Sequence, residues 1–239
     1  MHSENVSAPA NLICVYRRSN APRVAELVRQ QGTLGGSSKL WALDSTDPSL
    51  AAWTVGEGPG GRCDLLNKLL DVAPVEGAVV VSDDDYVFSR GNLPRLLDLI
   101  DRCQFALAQP SHNRASVSSY AFCRRRPWLR ARLTNFVEIG PLVVIAEHCR
   151  RAFLPFPAGW GMGWGADLLW RDRALLGDRL GIVDDVSIQH LSPLGGGYSM
   201  ADEGVRSRRL LDERGLTTVE QGQATLSYWP RWSSRPSWV

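Results

Sequence analysis

The segment Ala78-Val79-Val80-Val81-Ser82-Asp83-Asp84-Asp85-Tyr86 runs four small or β-branched apolar residues straight into three carboxylates. A buried parallel strand that ends at the carboxyl edge of an α/β sheet has this pattern, and open sheets place their ligands at that edge. Side chains alternate along an extended segment, so Asp83 and Asp85 are expected on one side and Asp84 on the other. Two carboxylates on one side repel unless a cation lies between them, and hard oxygen ligands suit Mg²⁺ or Mn²⁺. The competing reading makes the three aspartates solvated turn residues or helix caps, because Ser89, Gly91 and Asn92 precede a helix predicted from about Leu93.

Two later stretches bear on that choice. Phe156-Pro157-Ala158-Gly159-Trp160-Gly161-Met162-Gly163-Trp164-Gly165-Ala166-Asp167 is a glycine and tryptophan loop that delivers an acid at the start of the apolar helix Leu168-Leu169-Trp170. Gly181-Ile182-Val183-Asp184-Asp185-Val186-Ser187-Ile188-Gln189-His190 reads as a strand ending in a histidine. An acidic strand end, a Gly/Trp loop with a carboxylate and a terminal histidine, in that order, resemble the GT-A class of nucleotide-sugar glycosyltransferases of the D-x-D type. The chain also resembles an uncharacterised family with Phe-Val-Glu, Trp-Gly-x-Asp and Val-Asp…His signatures, which carries no settled activity. The fold implied is α/β, a single GT-A-like, Rossmann-like domain with a mixed, mostly parallel central sheet flanked by helices.

Along the chain, residues 1–10 are expected as a flexible tail, 11–215 as the catalytic domain, and 216–239 as an aromatic, basic C-terminal tail. The donor half of the domain would cover about 11–110 and the acceptor half about 111–215. The chain has 239 residues, 44% of them hydrophobic, enough for one sizeable core. A net charge of +2 and a pI near 8.3 do not demand a nucleic-acid partner. Cys14, Cys63, Cys103, Cys123 and Cys149 are odd in number, widely spaced and without a C-x-x-C pair, which points to ordinary thiols in a reducing compartment. No leader pattern and no long apolar run are present, so a cytoplasmic protein without a transmembrane segment is expected. The sequence leaves the oligomeric state open.

From the residues themselves, Arg17 and Arg18 at the end of a first strand, Asn11–Tyr16, suit a diphosphate, with a solvated turn as the alternative. Gly56 to Gly61 precede a helix predicted over 63–72 and offer backbone N–H groups to an anion; the absence of Gly-Lys-Ser/Thr excludes a P-loop. Gly195-Gly196-Gly197-Tyr198 has the composition of a lid that closes over the donor, or of a plain connector. Trp160 and Trp164 offer flat faces for sugar C–H surfaces, against the alternative of core packing. Cys123-Arg124-Arg125-Arg126-Pro127-Trp128-Leu129-Arg130-Ala131-Arg132 packs five arginines around one tryptophan, suited to a phosphate-bearing acceptor or to a solvated face. Glu138 reads as a strand residue that faces solvent, with a contact to acceptor or sugar as the alternative.

The resemblance adds roles. It implies Asp44 as a base or ribose contact, with capping as the alternative, and Arg62 with Asn67-Lys68 beside the nucleotide. It implies Asp85 as direct metal ligand, Asp83 reaching the ribose or a metal-bound water, and His190 as third ligand, tilting the preference from Mg²⁺ toward Mn²⁺. It implies Asp167 as the base of an inverting displacement, although Ala166 stands where many relatives have a second acid. The expected activity is metal-dependent transfer of a hexosyl or pentosyl group from a nucleotide-diphosphate sugar, a UDP-sugar first. The acceptor is open among a glycan, a lipid phosphate and a modified base in DNA. The competing functions are a sugar-phosphate nucleotidyltransferase and a non-catalytic carbohydrate or nucleic-acid binding module on the same fold.

Overall fold

The run Val79-Val80-Val81 is fully buried in the middle of a ten-stranded mixed sheet. The computed structural model describes residues 9–192 and 200–239. In chain order these form β1 (Ala10–Tyr16), α1 (Ala21–Gly32), β2 (Ser38–Ala42), β3 (Thr54–Glu57), α2 (Arg62–Val72), β4 (Ala78–Ser82), β5 (Tyr86–Arg90), α3 (Leu93–Cys103), β6 (Leu107–His112), β7 (Leu129–Thr134), β8 (Leu142–Ile145), α4 (Arg150–Phe153), α5 (Ala166–Leu175), β9 (Leu180–His190), α6 (Met200–Glu213) and β10 (Thr225–Pro230). The spatial order is β10-β7-β9-β6-β8-β4-β1-β2-β3, with β5 paired to β9 off this path. The ladders are parallel through β3-β2-β1-β4 and again at β6–β9, and antiparallel elsewhere.

Helices cover both faces of the sheet, which is why β1 reads as a continuous apolar run rather than an alternating one. Leu12, Cys14 and Tyr16 pack with α1 and α3 on one face, while Ile13 and Val15 pack with α2 and α5 on the other. All five cysteines are free thiols, four of them buried. Among the described residues no helix is long and apolar enough to cross a membrane.

Besides β7, which falls within the arginine-rich segment, three strands lie where the sequence shows no strand pattern. β3 is half exposed, and β5 occupies residues taken above as the approach to α3. The third, β10, lies in the expected C-terminal tail and pairs antiparallel with β7 at the sheet edge. Its Trp229 is fully buried, and Trp238 beyond it stacks on Phe105 at 5.9 Å, so this segment is held to the core by its aromatic side chains. The expected 1–10 tail also shortens, because Ala10 already belongs to β1 and is buried.

The arginine-rich segment differs most from a solvated face. Arg132 on β7 is fully buried and pairs with Asp184, Nε to Oδ2 at 2.8 Å, and its other donors reach the carbonyls of Phe122 and Arg124. Arg124 donates to the carbonyls of Asn113 and Ser116. Asp184 lies where β9 changes partners: the β6–β9 register jumps from Pro110↔Val183 to Ser111↔Ser187, leaving residues 184–186 as a bulge. Arginine donors satisfy the carboxylates and carbonyls that this bulge removes from the ladder.

Candidate active site

The carboxyl ends of β1 and β4 meet at the acidic turn. Asp84 is buried on the β1 side and accepts the Arg17 backbone N–H at 2.5 Å, which ties the β1–α1 turn to β4. The Arg17 side chain is exposed. Asp44, also exposed, accepts the Arg18 and Ser45 N–H groups through Oδ1, and these bonds hold its carboxyl below the usual range. These bonds tie Asp44 to the β1–α1 turn, whereas the cap of the next short helix, Pro48–Leu50, is Asp47.

Asp83 faces the opposite way and receives the Arg62 Nε–H at 2.5 Å. Arg62 is 5% exposed, and its Nη1 is buried without a hydrogen-bond partner among the described residues. A Cβ on Gly140 would come within 2.9 Å of the Asp83 carboxylate, so glycine there leaves room for it. The N-terminus of α2, expected as an anion cradle, is closed at Cys63, whose N–H is donated to the Gly161 carbonyl at 2.9 Å. Asn67 braces the chain through paired bonds with the Phe156 backbone, and Lys68 lies over the Trp41 ring at 4.9 Å.

Asp85 meets His190 across the β5–β9 pairing. His190 Nε2 is 3.1 Å from Asp85 Oδ1, and its Nδ1 lies 3.0 Å from the Val117 carbonyl. A carbonyl only accepts, so Nδ1 carries the proton, and in the neutral ring the Nε2 lone pair faces a carboxylate oxygen. Among the described residues Asp85 Oδ1 is buried and makes no hydrogen bond beyond this approach of His190. Two acceptors that close fit a proton or a metal cation between them. Among the described residues no group of three or more His, Cys, Asp or Glu is gathered for a metal. Asp83 is held by Arg62, which leaves Asp85 and His190 as the two groups here that could hold a metal.

The Gly/Trp loop winds beside this turn. Gly161, Gly163 and Gly165 have φ of 50°, 91° and 99°, the left-handed region that glycine enters at little cost. A Cβ at Gly163 would lie 2.5 Å from Ile139 and 2.8 Å from the Cys63 sulfur. Buried Glu203 on α6 accepts the backbone N–H groups of Met162 and Trp164, at 3.0 and 3.1 Å, and clamps the loop. Trp164 is half-buried, and Trp160 packs against the core beneath Arg206. Tyr198 and the glycines beside it lie outside the described residues.

Asp167 sits in the first turn of α5, 4% exposed. Its Oδ1 accepts the Leu168 N–H at 2.9 Å, and the Tyr120 hydroxyl approaches Oδ2 at 3.4 Å. Burial, with the Glu138 charge nearby, raises its carboxyl to about 7. Glu138 is a correction: it lies in the buried loop between β7 and β8, not on a solvent-facing strand. It accepts the Ser119 N–H at 3.2 Å, while its Oε2 and His112 Nε2 face each other at 3.8 Å, both buried and without hydrogen-bond partners. Burial, then the nearby His190 and Arg124, pushes His112 down to about 3, so it is neutral at ordinary pH. His112 and Glu203 carried no signal in the sequence, and Glu138 only its place in the Phe-Val-Glu order, which says nothing of burial.

No protein-family model and no curated protein sequence matches the chain. Solved structures do. GalNAc-T7 with UDP, GalNAc and Mn²⁺ superposes with a TM-score of 0.63 at 10% identity, over 86% of this chain and 48% of that one. TarS 1-349 of S. aureus with UDP-GlcNAc superposes with a TM-score of 0.58 at 15% identity, over 88% of this chain and 67% of that one. A further structure of TarS 1-349 gives 0.53 at 14% identity, over 89% of this chain and 73% of that one. The chain thus spans about half the length of GalNAc-T7 and matches both proteins in backbone rather than in sequence. This chain has the fold of the GT-A glycosyltransferases.

Proposed function

We propose that the protein is a glycosyltransferase that moves a sugar from a nucleotide-diphosphate donor, a UDP-sugar first, to an acceptor hydroxyl with inversion. The observation that carries this reading is the placement of Asp167, a buried carboxylate held near 7, in one electrostatic neighbourhood with the metal-suited pair Asp85 and His190: Glu138 raises Asp167 and in turn feels His190. A base works best when its pKa lies near the working pH. The solved neighbours contain UDP with Mn²⁺ in one case and UDP-GlcNAc in the other, which favours the same donor class here.

In this reading the acceptor oxygen forms the new bond to the anomeric carbon as the bond to the diphosphate breaks. The electron pair leaves with the diphosphate, and the hydroxyl proton passes to an Asp167 carboxylate oxygen. Tyr120 and the Leu168 N–H hold that carboxylate in orientation. Arg62, buried against Asp83 with a free Nη1, donates to a diphosphate oxygen. Asp85 and His190 would hold a divalent ion, which when bound stabilises charge on the leaving diphosphate as a Lewis acid. Asp44 and the Arg17 side chain, exposed at neighbouring strand ends, are assigned to the nucleoside and diphosphate, and Trp164 to the sugar face.

The test is calorimetric binding of UDP with and without Mn²⁺. Metal-enhanced binding in the wild type, lost in both Asp85→Ala and His190→Ala, is the expected result. Binding that ignores both metal and substitutions would remove the donor site from this edge.

A further inference from the structure

Away from the acidic turn, five guanidinium groups converge on the β9 bulge. Asp185 is approached by Arg90 of β5 at 3.6 Å, Arg95 of α3 at 3.4 Å, Arg130 of β7 at 3.5 Å, and by Arg231 after β10. Arg125 donates to the neighbouring Asp184 carbonyl at 3.2 Å. The Asp184 carboxylate is already matched by buried Arg132. Counting Asp98, which pairs with Arg95, five positive groups face two negative ones, a local excess of +3 against +2 for the whole chain.

Five arginines are more than one bulge needs, and the surplus is incompletely satisfied. Arg130 Nε is buried without a hydrogen-bond partner. Arg125 is held below its ordinary value by burial and by repulsion from Arg90 and Arg231, so the cluster carries like-charge strain that an anion would relieve. Asp185 accepts from several of these guanidiniums and fixes them in place, leaving Arg90 49% exposed at the rim. Guanidinium forks held in this way match phosphate oxygens. The cluster is compact rather than a stripe, and the overall pI near 8.3 falls short of a nucleic-acid footprint.

We propose that the arginine cluster around Asp185 is a binding subsite for one or two phosphate groups carried by the acceptor. Asp185 and His190 are five residues apart on β9, so the subsite lies roughly 16 Å along the strand from the metal-suited pair. Phosphate held there leaves a few sugar or polyol units to reach the reacting hydroxyl. Assigning that phosphate to the acceptor rests on the glycosyl-transfer reading; the anion site itself does not.

The test is calorimetric titration of the full chain with inorganic tripolyphosphate in metal-free buffer. The wild type binds, Arg90→Gln/Arg125→Gln binds about tenfold or more weakly, because one charge-assisted contact is worth about a factor of ten, and Arg90→Lys/Arg125→Lys, which keeps the charge and loses the fork, falls between the two. UDP does not compete. Should the double Gln variant lower the unfolding midpoint, the single Arg90→Gln at the exposed rim carries the same comparison. Absence of wild-type binding, full affinity in the Gln variants, or displacement by UDP would overturn the subsite. Oligothymidylate binding more tightly than tripolyphosphate and lost in the same variant would overturn the small phosphorylated acceptor in favour of nucleic acid. Loss of UDP binding with tripolyphosphate binding intact would instead strike only the glycosyl-transfer reading.

Discussion

At the scale of single residues, the proposed chemistry rests on Asp167. Its carboxyl, about 7 in the folded chain, lies above the ordinary value of 3.8, so the folded state holds the proton more tightly. That contribution to stability is full below pH 3.8 and is lost as pH rises through 7. Asp167→Asn should therefore abolish transfer, by ~10²–10⁴ in kcat, while raising the unfolding free energy at pH 8 by on the order of 4 kcal/mol, a gain that shrinks by pH 5. Denaturant unfolding at the two pH values checks the sign; equal or lower stability at pH 8 would contradict the buried-base assignment. Glu138 raises Asp167 through its charge, so Glu138→Gln should move the lower limb of the pH profile of kcat/KM from about 7 toward acid. An unmoved limb would detach Glu138 from the base. Asp83, Asp85 and Asp167 stand out in the sequence because carboxylates at a strand end and after a glycine loop are local patterns. Glu138 and His112 do not, since their burial follows from the course of the β7–β8 loop and the end of β6.

At the scale of elements, the Gly/Trp loop keeps its shape through left-handed glycines and through one carboxylate far ahead in sequence. Glu203 accepts two of its backbone N–H groups and pairs with Arg206. Glu203→Ala strands two donors and should lower stability by about 2–3 kcal/mol. It should also reduce kcat, since Asp167 follows directly on this loop; thermal unfolding and single-turnover rates measure both. The long strands and amphipathic helices were legible because their periodicity is local: α3, with Leu93, Leu96, Leu97 and Ile100 buried, has the predicted span. β3, β5 and β10 were not legible. Each is short and at least half exposed on one side, and its pairing depends on a partner far away in sequence.

For the whole molecule, the sheet is completed by charge as much as by apolar packing. Arg132 and Asp184 are both fully buried and close the β7–β9 junction. Removing one partner leaves an uncompensated buried charge, so Arg132→Met should cost about 3–5 kcal/mol, whereas the same change combined with Asp184→Leu should recover much of it. Equal losses in the single and double variants would deny the pair its role. The arginine-rich segment was read as surface because charge runs usually are; only the bulge in β9 explains why these side chains turn inward. Asp85 meets His190 at the end of β9, Arg62 pairs with Asp83 beside them, and the central claim is that this edge, with Asp167, transfers sugars. The direct measurement is release of nucleotide diphosphate from a panel of nucleotide sugars with Mn²⁺, for wild type, Asp85→Ala and Asp167→Asn. Slow, donor-selective, metal-dependent release that disappears in Asp85→Ala is the expected result, with Asp167→Asn still binding the donor. If no nucleotide sugar is bound or turned over by the wild type, with or without metal, the chain keeps the fold without the chemistry and the glycosyltransferase reading is wrong.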